Sequence, residues 1–145
     1  MYKHILIPTD GSDLSEIAVR QGIALAKSLG AATTAITVSR TFRTFAVEPL
    51  MVADTAEQYE KDCKALAEKY LGSAMAAATA SGVLFKGLHV IHDLPYEAII
   101  EAATKNQCDL IVMASHGRKG VAALVLGSET TKVLTHSKIP VLVCR

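Results

Sequence analysis

The sequence is poor in cysteine and has no tryptophan. Its cysteines are odd in number and far apart, and none belongs to a Cys-x-x-Cys pair; they are Cys63, Cys108 and Cys144. This spacing indicates neither a disulfide framework nor a zinc site. The plain interpretation is a protein of a reducing, cytosolic compartment.

An excess of either charge is also absent. Fifteen Lys and Arg residues balance fourteen Asp and Glu residues, and half of the chain is hydrophobic. A dedicated nucleic-acid-binding protein carries a basic excess on one face, and a disordered chain combines low hydrophobicity with high net charge. The composition therefore argues against intrinsic disorder and against a nucleic-acid partner.

Long apolar runs are missing as well. No run approaches the ~20 residues that a membrane-spanning helix requires. A signal-peptide core is not expected at the N-terminus, because Pro8 and Asp10 interrupt the apolar stretch there. The length of 145 residues suits one ordinary domain with a single core. We therefore expect one cytoplasmic domain over residues 1–145, with no membrane partner.

Short apolar runs alternate with longer amphipathic stretches. The runs predict strands at 5–7, 35–38, 84–91, 110–114 and 139–143. The amphipathic stretches predict four helices: one from the N-cap Ser12 to Gly30, one that ends at Gly82, one that begins at Pro95 and one over 128–137. The segment 40–53 is predicted to be a loop. Helices between strands require right-handed crossovers. The predicted fold class is therefore α/β: an open, doubly wound five-stranded parallel sheet with helices on both faces, Rossmann-like or flavodoxin-like.

The longest predicted helix, which ends at Gly82, is the clearest element. Its apolar residues recur at three- and four-residue spacing and predict one buried stripe that comprises Tyr59, Cys63, Leu66, Ala67, Tyr70, Leu71, Ala74, Met75 and Ala78. Glu57 and Lys61 lie four residues apart on its polar side. A helix of this pattern packs against the rest of the domain with one face.

Two loops are candidates for a ligand site. In an open parallel sheet, ligands bind beyond the carboxyl ends of the strands where the winding direction reverses, which indicates the loops after 5–7 and after 110–114. The second loop contains Ala114-Ser115-His116-Gly117, nine further residues, and Gly127-Ser128 at the start of a helix. Glycine lets backbone N–H groups approach a phosphate, and a helix N-terminus offers unpaired donors. The alternative is that Gly117 is an ordinary turn residue and Ser128 an ordinary N-cap.

Two common phosphate motifs are absent. GxGxxG does not follow the first strand and GxxxxGK[ST] occurs nowhere, so neither a Rossmann dinucleotide site nor a P-loop is indicated. The pattern that is present resembles that of the universal stress protein family, whose nucleotide-binding members carry G-x2-G-x9-G-[ST] at this place. Gly117, Gly127 and Ser128 match it, whereas Ala114 replaces the first glycine. The opening segment 4–12 and the closing segment 138–143 are similar too, and the resemblance is weakest over 41–54.

The resemblance implies a site for ATP or another adenine nucleotide, accompanied by Mg²⁺ or Mn²⁺. Asp10 is implied to lie near the ribose and the metal ion, with Pro8 and Thr9 in the same pocket. Val38 is implied to meet adenine through its backbone, and Met113 to pack near the nucleoside. The residues implied around the phosphates are Ala114, Gly117, Gly127 and Ser128, with Thr130 nearby and Ser115 and His116 in the same loop.

Several of these residues have an ordinary structural alternative. Asp10 could cap the first helix as a turn residue, and Val38 and Met113 could be plain core. Arg118 and Lys119 could neutralise phosphate charge or simply be solvated. His116 is adjacent to the glycine loop, but no carboxylate or nucleophile is paired with it in the sequence. A loop role is therefore favoured over a catalytic one for this histidine.

The last strand carries the evidence on assembly. Pro140 lacks the N–H that a strand ladder needs, so the strand is predicted at a sheet edge. An apolar edge such as 141–143 invites pairing unless it is covered, either by the chain itself or by a second copy. The resemblance implies homodimers through the last strand. We therefore expect a homodimer through Ile139 to Cys144.

The predicted function is regulatory: a homodimer that binds an adenine nucleotide and takes part in a stress response. Two alternatives remain at this point. A slow ATPase would need a general base, for which Asp10 and His116 are weak candidates. A nucleotide-free interaction protein of the same family is favoured by the replacement at Ala114.

Overall fold

The computed structural model describes residues 1–45, 55–117 and 125–145. Strands and helices alternate along these residues, as the hydrophobic pattern predicts. In chain order the elements are β1 (His4–Pro8), α1 (Asp13–Leu29), β2 (Ala32–Ser39), α2 (Phe42–Phe45), α3 (Ala56–Ser81), β3 (Phe85–Ile91), α4 (Pro95–Lys105), β4 (Leu110–Ala114), α5 (Ser128–His136) and β5 (Val141–Cys144).

The five strands form one parallel sheet in the order β3-β2-β1-β4-β5. Ile5 in β1 is level with Thr33 in β2 on one side and with Leu110 in β4 on the other. From β1 the chain moves outward to β2 and β3, and then crosses to β4 and β5 on the opposite side. The winding direction therefore reverses between β1 and β4, the two strands whose following loops the sequence analysis selected.

Helices cover both faces of the sheet. Ile5 and Ile7 of β1 point to a core shared with α1 and α3, whereas Leu6 points to a second core shared with α4 and α5. This alternation is the two-residue period of a strand. All five residues of β4 are buried, as expected of a central strand covered on both sides. The predicted doubly wound α/β class is confirmed.

Helix ends follow the predicted capping signals. The hydroxyl of Ser12 accepts the backbone N–H of Ser15 at 3.3 Å and starts α1. Gly30 and Gly82 end α1 and α3 in the left-handed conformation, with φ of 66° and 70°. Pro95 occupies the first turn of α4, where its missing N–H breaks no helical hydrogen bond.

The long helix α3 departs from the prediction at two positions. Leu66 and Met75 are 45% and 53% exposed, although both fall on the predicted apolar stripe. The side of α3 that is buried deepest consists of small residues, Ala67, Ala74 and Ala78. A narrow face of this kind lets the helix approach its neighbours closely and leaves the flanking side chains in solvent.

Two further boundaries differ from the sequence prediction. The segment predicted to be a loop begins with the short helix α2, while 46–54 lies outside the described residues. Pro140 precedes β5 rather than lying within it, and its carbonyl accepts the N–H of Ile111 at 2.9 Å. The edge position of β5 is nevertheless confirmed. In the described part of the chain, no helix is both long and apolar enough to cross a membrane.

Candidate functional site

A crevice with a volume of about 350 Å³ opens at the carboxyl ends of β1 and β4. Its size lies within the range of small-molecule sites, about 300–1,000 Å³. The predicted site residues that line it are Pro8, Thr9, Asp10, Val38, Met113, Ala114, His116, Gly117, Gly127, Ser128 and Thr130. Residues that the sequence analysis did not single out also line it, namely Ser15, Ile36, Arg40, Pro95, Ile99 and Glu129. Ser115 does not line it.

The turn between β1 and α1 holds Asp10 in place through its own backbone. Asp10 Oδ1 accepts the N–H of Ser12 at 3.0 Å, which closes an Asx-turn. The preceding residue is fixed as well, because the Thr9 N–H donates to the Ile36 carbonyl at 2.9 Å. Gly11 has a φ of +74°, and a Cβ there would fall on the ring of Tyr70. The helix α3 therefore supports the turn that carries Asp10.

Gly117 lies against the side chain of Asp10. A Cβ built on Gly117 would collide with Asp10 Oδ2. Oδ1 of the same carboxylate is the atom that makes the Asx-turn. Asp10 thus serves the structural role of a turn residue with one oxygen, while the other oxygen faces the glycine loop. Both alternatives considered for Asp10 are compatible with this geometry.

Gly127 is packed against the loop that follows β4. Its N–H donates to the Ser115 carbonyl at 2.8 Å, and a Cβ on it would lie 3.0 Å from His116 Cα and 3.3 Å from the Ser115 carbonyl oxygen. Its φ of −61° is an ordinary one, so close approach and not backbone strain requires glycine. The loop after β4 and the start of α5 can be this close only because the side chain is absent.

The first turn of α5 faces the crevice without a cap. Gly127 is its N-cap and makes no side-chain cap hydrogen bond, and the next three residues, Ser128, Glu129 and Thr130, all line the cavity. The first N–H groups of a helix have no partner within the helix, and the helix dipole is positive at this end. The arrangement can therefore accept an anionic group from the crevice side.

Ala114, which replaces the first motif glycine, lies at the end of β4. Its carbonyl accepts the hydroxyl of Thr130 at 2.9 Å, which ties β4 to α5. Ala114 packs in the core shared with α1 and α3, whereas the preceding Met113 belongs to the core on the other face. Strand alternation therefore directs the Ala114 methyl away from the side of the sheet on which Met113 lines the crevice.

Ser115 and His116 are placed differently from each other. Ser115 is buried, its N–H donates to the Cys144 carbonyl at 2.8 Å, and its hydroxyl lies 3.1 Å from His116 Nδ1. His116 lines the cavity beside Gly117. The structure thus gives Ser115 a role in joining β4 to β5 and leaves His116 at the wall.

Much of the crevice wall is apolar. Its apolar residues are Ile36, Val38, Ile99 and Met113, together with Pro95 from the start of α4. Val38 and Met113 also belong to, or pack against, the core shared with α4 and α5. They are therefore both core residues and cavity wall, which the sequence alone could not separate. The start of α5 can therefore accept an anion, and the apolar part of the wall can cover a flat apolar ring.

Arg40 follows β2 and lines the crevice. Its carbonyl accepts the hydroxyl of Tyr59 at 2.7 Å, and burial raises the pKa of Tyr59 above its usual range, helped by its contact with Cys63. Next to Arg40 in the sequence, Thr41 donates its N–H and its hydroxyl to Asp93 at 3.0 and 2.8 Å. These hydrogen bonds lower the pKa of Asp93.

Metal ligands are sparse around the crevice. Within residues 1–45, 55–117 and 125–145, no three His, Cys, Asp or Glu side chains are grouped as a metal site. A divalent ion at Asp10 would therefore need ligand phosphates to complete its coordination. Arg118 and Lys119, the candidate phosphate neighbours, lie outside the described residues. All three cysteines are free thiols.

Arg40 and Glu129 show what sequence reasoning missed. Parallel neighbouring strands end at the same edge of a sheet, so a residue just after β2 becomes a candidate only when β2 is known to lie beside β1. Glu129 follows Ser128 directly in the sequence. An acidic residue in a first helical turn is common because it interacts favourably with the helix dipole. The residue type of Glu129 therefore gave no indication that it lines the cavity.

The fold and the crevice together define a doubly wound α/β protein with a ligand crevice at its topological switch point. The family model of the universal stress protein family matches residues 1–145. The chain belongs to the universal stress protein family.

Individual relatives agree with this assignment. The chain is 32% identical to the universal stress protein MJ0531 of Methanocaldococcus jannaschii over 148 residues, covering all of this chain and 83% of the relative. It is also 32% identical to a universal stress protein of Thermus aquaticus, with full coverage of both chains. The solved structure of MJ0577 of Methanocaldococcus jannaschii superposes with a TM-score of 0.83 at 28% identity, covering 99% of this chain and 96% of that one.

A second solved structure was determined with a ligand. It is a universal stress protein in complex with cAMP, with a TM-score of 0.69 and 26% identity to this chain. The alignment covers 98% of this chain and 95% of that one.

Proposed function

We propose that the crevice binds an adenine nucleotide, and that the protein acts as a nucleotide-dependent regulator in a stress response. The observation that carries the proposal is that Asp10, Gly117 and the uncapped first turn of α5 line the same cavity as a set of apolar residues. A nucleotide also combines a charged part with a flat apolar part. A relative of this chain is known in complex with cAMP, which supports the same ligand class.

The phosphate end is supported by backbone geometry. The absence of a Cβ at Gly117 makes room for the Asp10 carboxylate, and the close packing of Gly127 on His116 brings the start of α5 against the loop after β4, so that its first turn borders the crevice. Ser128 adds a hydroxyl at the same point. The Thr130 hydroxyl donates to Ala114, so this side chain acts as a brace between β4 and α5. Charge-assisted hydrogen bonds from several amides are a common means of binding phosphate.

The base end is supported by its lining. Ile36, Val38, Ile99 and Met113 provide apolar surface on which a purine ring can be buried. Burial alone does not distinguish adenine from guanine. The preference for adenine therefore rests on the family resemblance and on the ligand of the cAMP-bound relative.

The metal ion is proposed to accompany the nucleotide. Asp10 Oδ2 lies beside Gly117 in the crevice wall, and Mg²⁺ and Mn²⁺ favour carboxylate and phosphate oxygens. Asp10 would hold the ion, which would neutralise part of the phosphate charge. Without phosphates the described residues offer the ion too few ligands.

The assembly is proposed to be a homodimer through β5. This strand lies at the edge of the sheet, and Leu142 at its centre is 46% exposed. Pairing with a second copy would satisfy the free backbone groups of the edge and cover this side chain.

Calorimetric titration tests the nucleotide proposal. The purified protein is titrated with ATP, AMP, GTP and adenosine in the presence of Mg²⁺. We expect heat of binding with ATP and AMP, and weaker or no binding with adenosine, which lacks the anion. Mass spectrometry of small molecules that remain bound after native purification gives an independent result. A protein that binds adenosine as tightly as AMP would contradict the placement of a phosphate at α5.

A further inference from the structure

Glu129 is a charged residue in the crevice wall. It follows Ser128 in the first turn of α5, lines the cavity, and has a side chain that is 33% exposed. Its Oε2 accepts the N–H of Tyr96 at 2.9 Å, and its Oε1 lies 3.4 Å from Lys132 Nζ. Both oxygens are therefore held, which fixes a carboxylate beside the N-terminus of α5.

The structural role of Glu129 does not require its charge. Tyr96 lies in the first turn of α4, and the N-cap of that helix, Leu94, makes no side-chain cap hydrogen bond. Glu129 satisfies one N–H of this turn from the neighbouring helix. The amide oxygen of a glutamine can accept the same hydrogen bond with the same geometry. The negative charge is paired with Lys132 and lies at the positive end of the α5 dipole, and it also borders the crevice.

The crevice is not basic. Among its described lining residues, Asp10 and Glu129 carry carboxylates and Arg40 carries the positive charge. A fixed carboxylate near an anion site opposes each further negative charge on the ligand. We propose that Glu129 limits the phosphate charge that the crevice accepts, so that free nucleotides with fewer phosphate charges bind in preference to free ATP. This inference rests on the proposed nucleotide function and identifies the ligand subclass.

The expected size follows from Coulomb's law. Two unit charges about 7 Å apart in water interact strongly enough to change a binding constant roughly threefold. The interaction is larger where water is partly excluded and smaller at high salt. Free ATP carries about two more negative charges than AMP near neutral pH. Removing the Glu129 charge should therefore tighten ATP binding relative to AMP binding by at least about threefold.

Titration of the full-length protein in EDTA at low salt tests the proposal. The dissociation constants of ATP and AMP are measured for the wild type, Glu129→Gln and Glu129→Ala. We expect the ATP/AMP ratio of dissociation constants to fall at least about threefold in both variants. Glu129→Ala alone should also lower the thermal midpoint, because it removes the cap on α4. Saturating Mg²⁺ neutralises two charges of ATP, so it should bring the ATP/AMP ratios of the wild type and Glu129→Gln closer together.

Glu97→Gln is the matched control. Glu97 accepts the Tyr96 hydroxyl at 3.1 Å and so belongs to the same cluster, but it does not line the cavity. Its loss should leave the ATP/AMP ratio unchanged. An equal effect of Glu129→Gln on both nucleotides would overturn the inference while leaving nucleotide binding intact. A wild-type protein that binds neither nucleotide would overturn both proposals.

Discussion

Gly117 and Gly127 each allow the close approach of a different neighbour in the crevice wall. Gly117 leaves room for the Asp10 carboxylate, and Gly127 lets α5 begin against the backbone of His116. A β-branched residue at Gly127 would block an anion by filling space, but the structure indicates a second effect. The added atoms would press on His116 and Ser115, so the loop after β4 would have to shift.

Gly127→Val should abolish the ATP-induced rise in thermal midpoint. The Cβ alone would lie 3.0 Å from His116 Cα, so the amides at the start of α5 would be displaced from the ligand. A ligand at a hundred times its dissociation constant stabilises the native state by about 2.7 kcal/mol, which is the effect to be lost. Thermal unfolding with and without ATP and Mg²⁺ measures it.

Gly72→Val is the control for this substitution. Gly72 lies in α3, and a Cβ there meets nothing within 4 Å. This variant should retain the full ATP-induced rise. A Gly127→Val protein that also retains it would show that the phosphates do not lie at the start of α5.

Cys108 gives a pH dependence that can be measured. Burial raises the pKa of its thiol to about 11, and the neighbouring Asp109 adds to the effect. The thiol of an unfolded cysteine has a pKa near 8.5 to 9. Because the native state holds the proton more tightly than the unfolded state, Cys108 contributes its full stabilisation below that pH. This contribution, on the order of 2 kcal/mol, should be lost as the pH rises from about 9 to about 11.

Urea unfolding at several alkaline pH values tests this expectation. The free energy of unfolding of the wild type should fall more steeply between pH 9 and pH 11 than that of Cys108→Ala, which lacks the titrating thiol. Cys63→Ala, at a partly exposed cysteine, controls for the general loss of a thiol. Identical slopes for the wild type and Cys108→Ala would show that Cys108 is accessible to solvent in the native state.

The residues that sequence could predict for the site are those with unusual local requirements. Gly117, Gly127 and Asp10 stand out because glycine at a helix start and an acid after a strand are informative in themselves. Arg40, Pro95 and further apolar lining residues enter the crevice only because the sheet brings distant strands together. Their residue types are ordinary at their positions, so tertiary structure was needed to find them.

At the scale of elements, α1 packs on the sheet at unusually close range. A Cβ on Gly22, in the middle of α1, would lie 2.7 Å from Ile7 Cδ1 and 3.5 Å from Val112 Cγ1. Both neighbours are fully buried in the centre of the sheet and cannot move into solvent. Glycine therefore allows the helix to lie against β1 and β4 despite its low helix propensity.

Gly22→Ala should destabilise the protein by about 1–2 kcal/mol. Overpacking in a core costs roughly 1–3 kcal/mol, and the gain in helix propensity returns less than about 1 kcal/mol. Gly72→Ala, at an open helical position, should have the opposite sign and stabilise the protein slightly. Denaturant unfolding of both variants measures the two changes in the free energy of unfolding. A stabilised Gly22→Ala protein would mean that α1 lies farther from the sheet than described.

The order of elements was accessible from sequence, whereas some of their surroundings were not. Runs rich in β-branched residues, the Ser12 cap and the terminal glycines gave the strands and helix ends, because these signals are local. The exposure of Leu66 and Met75 depends on how narrow a face α3 presents to its neighbours, which periodicity does not reveal. Pro140 predicted the correct edge although it lies just before the strand.

At the scale of the whole molecule, the two edge strands of the sheet differ in length. β5 is the short edge strand of four residues, and β3 is the longer one of seven. Exposed apolar side chains occur at both edges, with Leu142 at 46% and Leu84, just before β3, at 78%. The proposed dimer uses the β5 edge, so a substitution at the β3 edge can serve as the control for one at the β5 edge.

Leu142→Lys should raise the monomer fraction in sedimentation experiments. A lysine at the centre of β5 would place a charge, and in the symmetric dimer two like charges, at the proposed strand pairing. Leu84→Lys places the same charge at the opposite edge and should leave the sedimentation unchanged. The dimer proposal fails if the two variants sediment alike or if the wild type is a monomer at all concentrations.

The contact between Gly11 and Tyr70 links the crevice to a helix that contributes nothing to its lining. The ring of Tyr70 occupies the place where any side chain at position 11 would go, directly behind the residue that follows Asp10. A smaller residue at position 70 would leave a void under that turn. A genetic screen for loss of ligand-dependent behaviour should therefore recover changes at Tyr70, although this residue does not line the crevice.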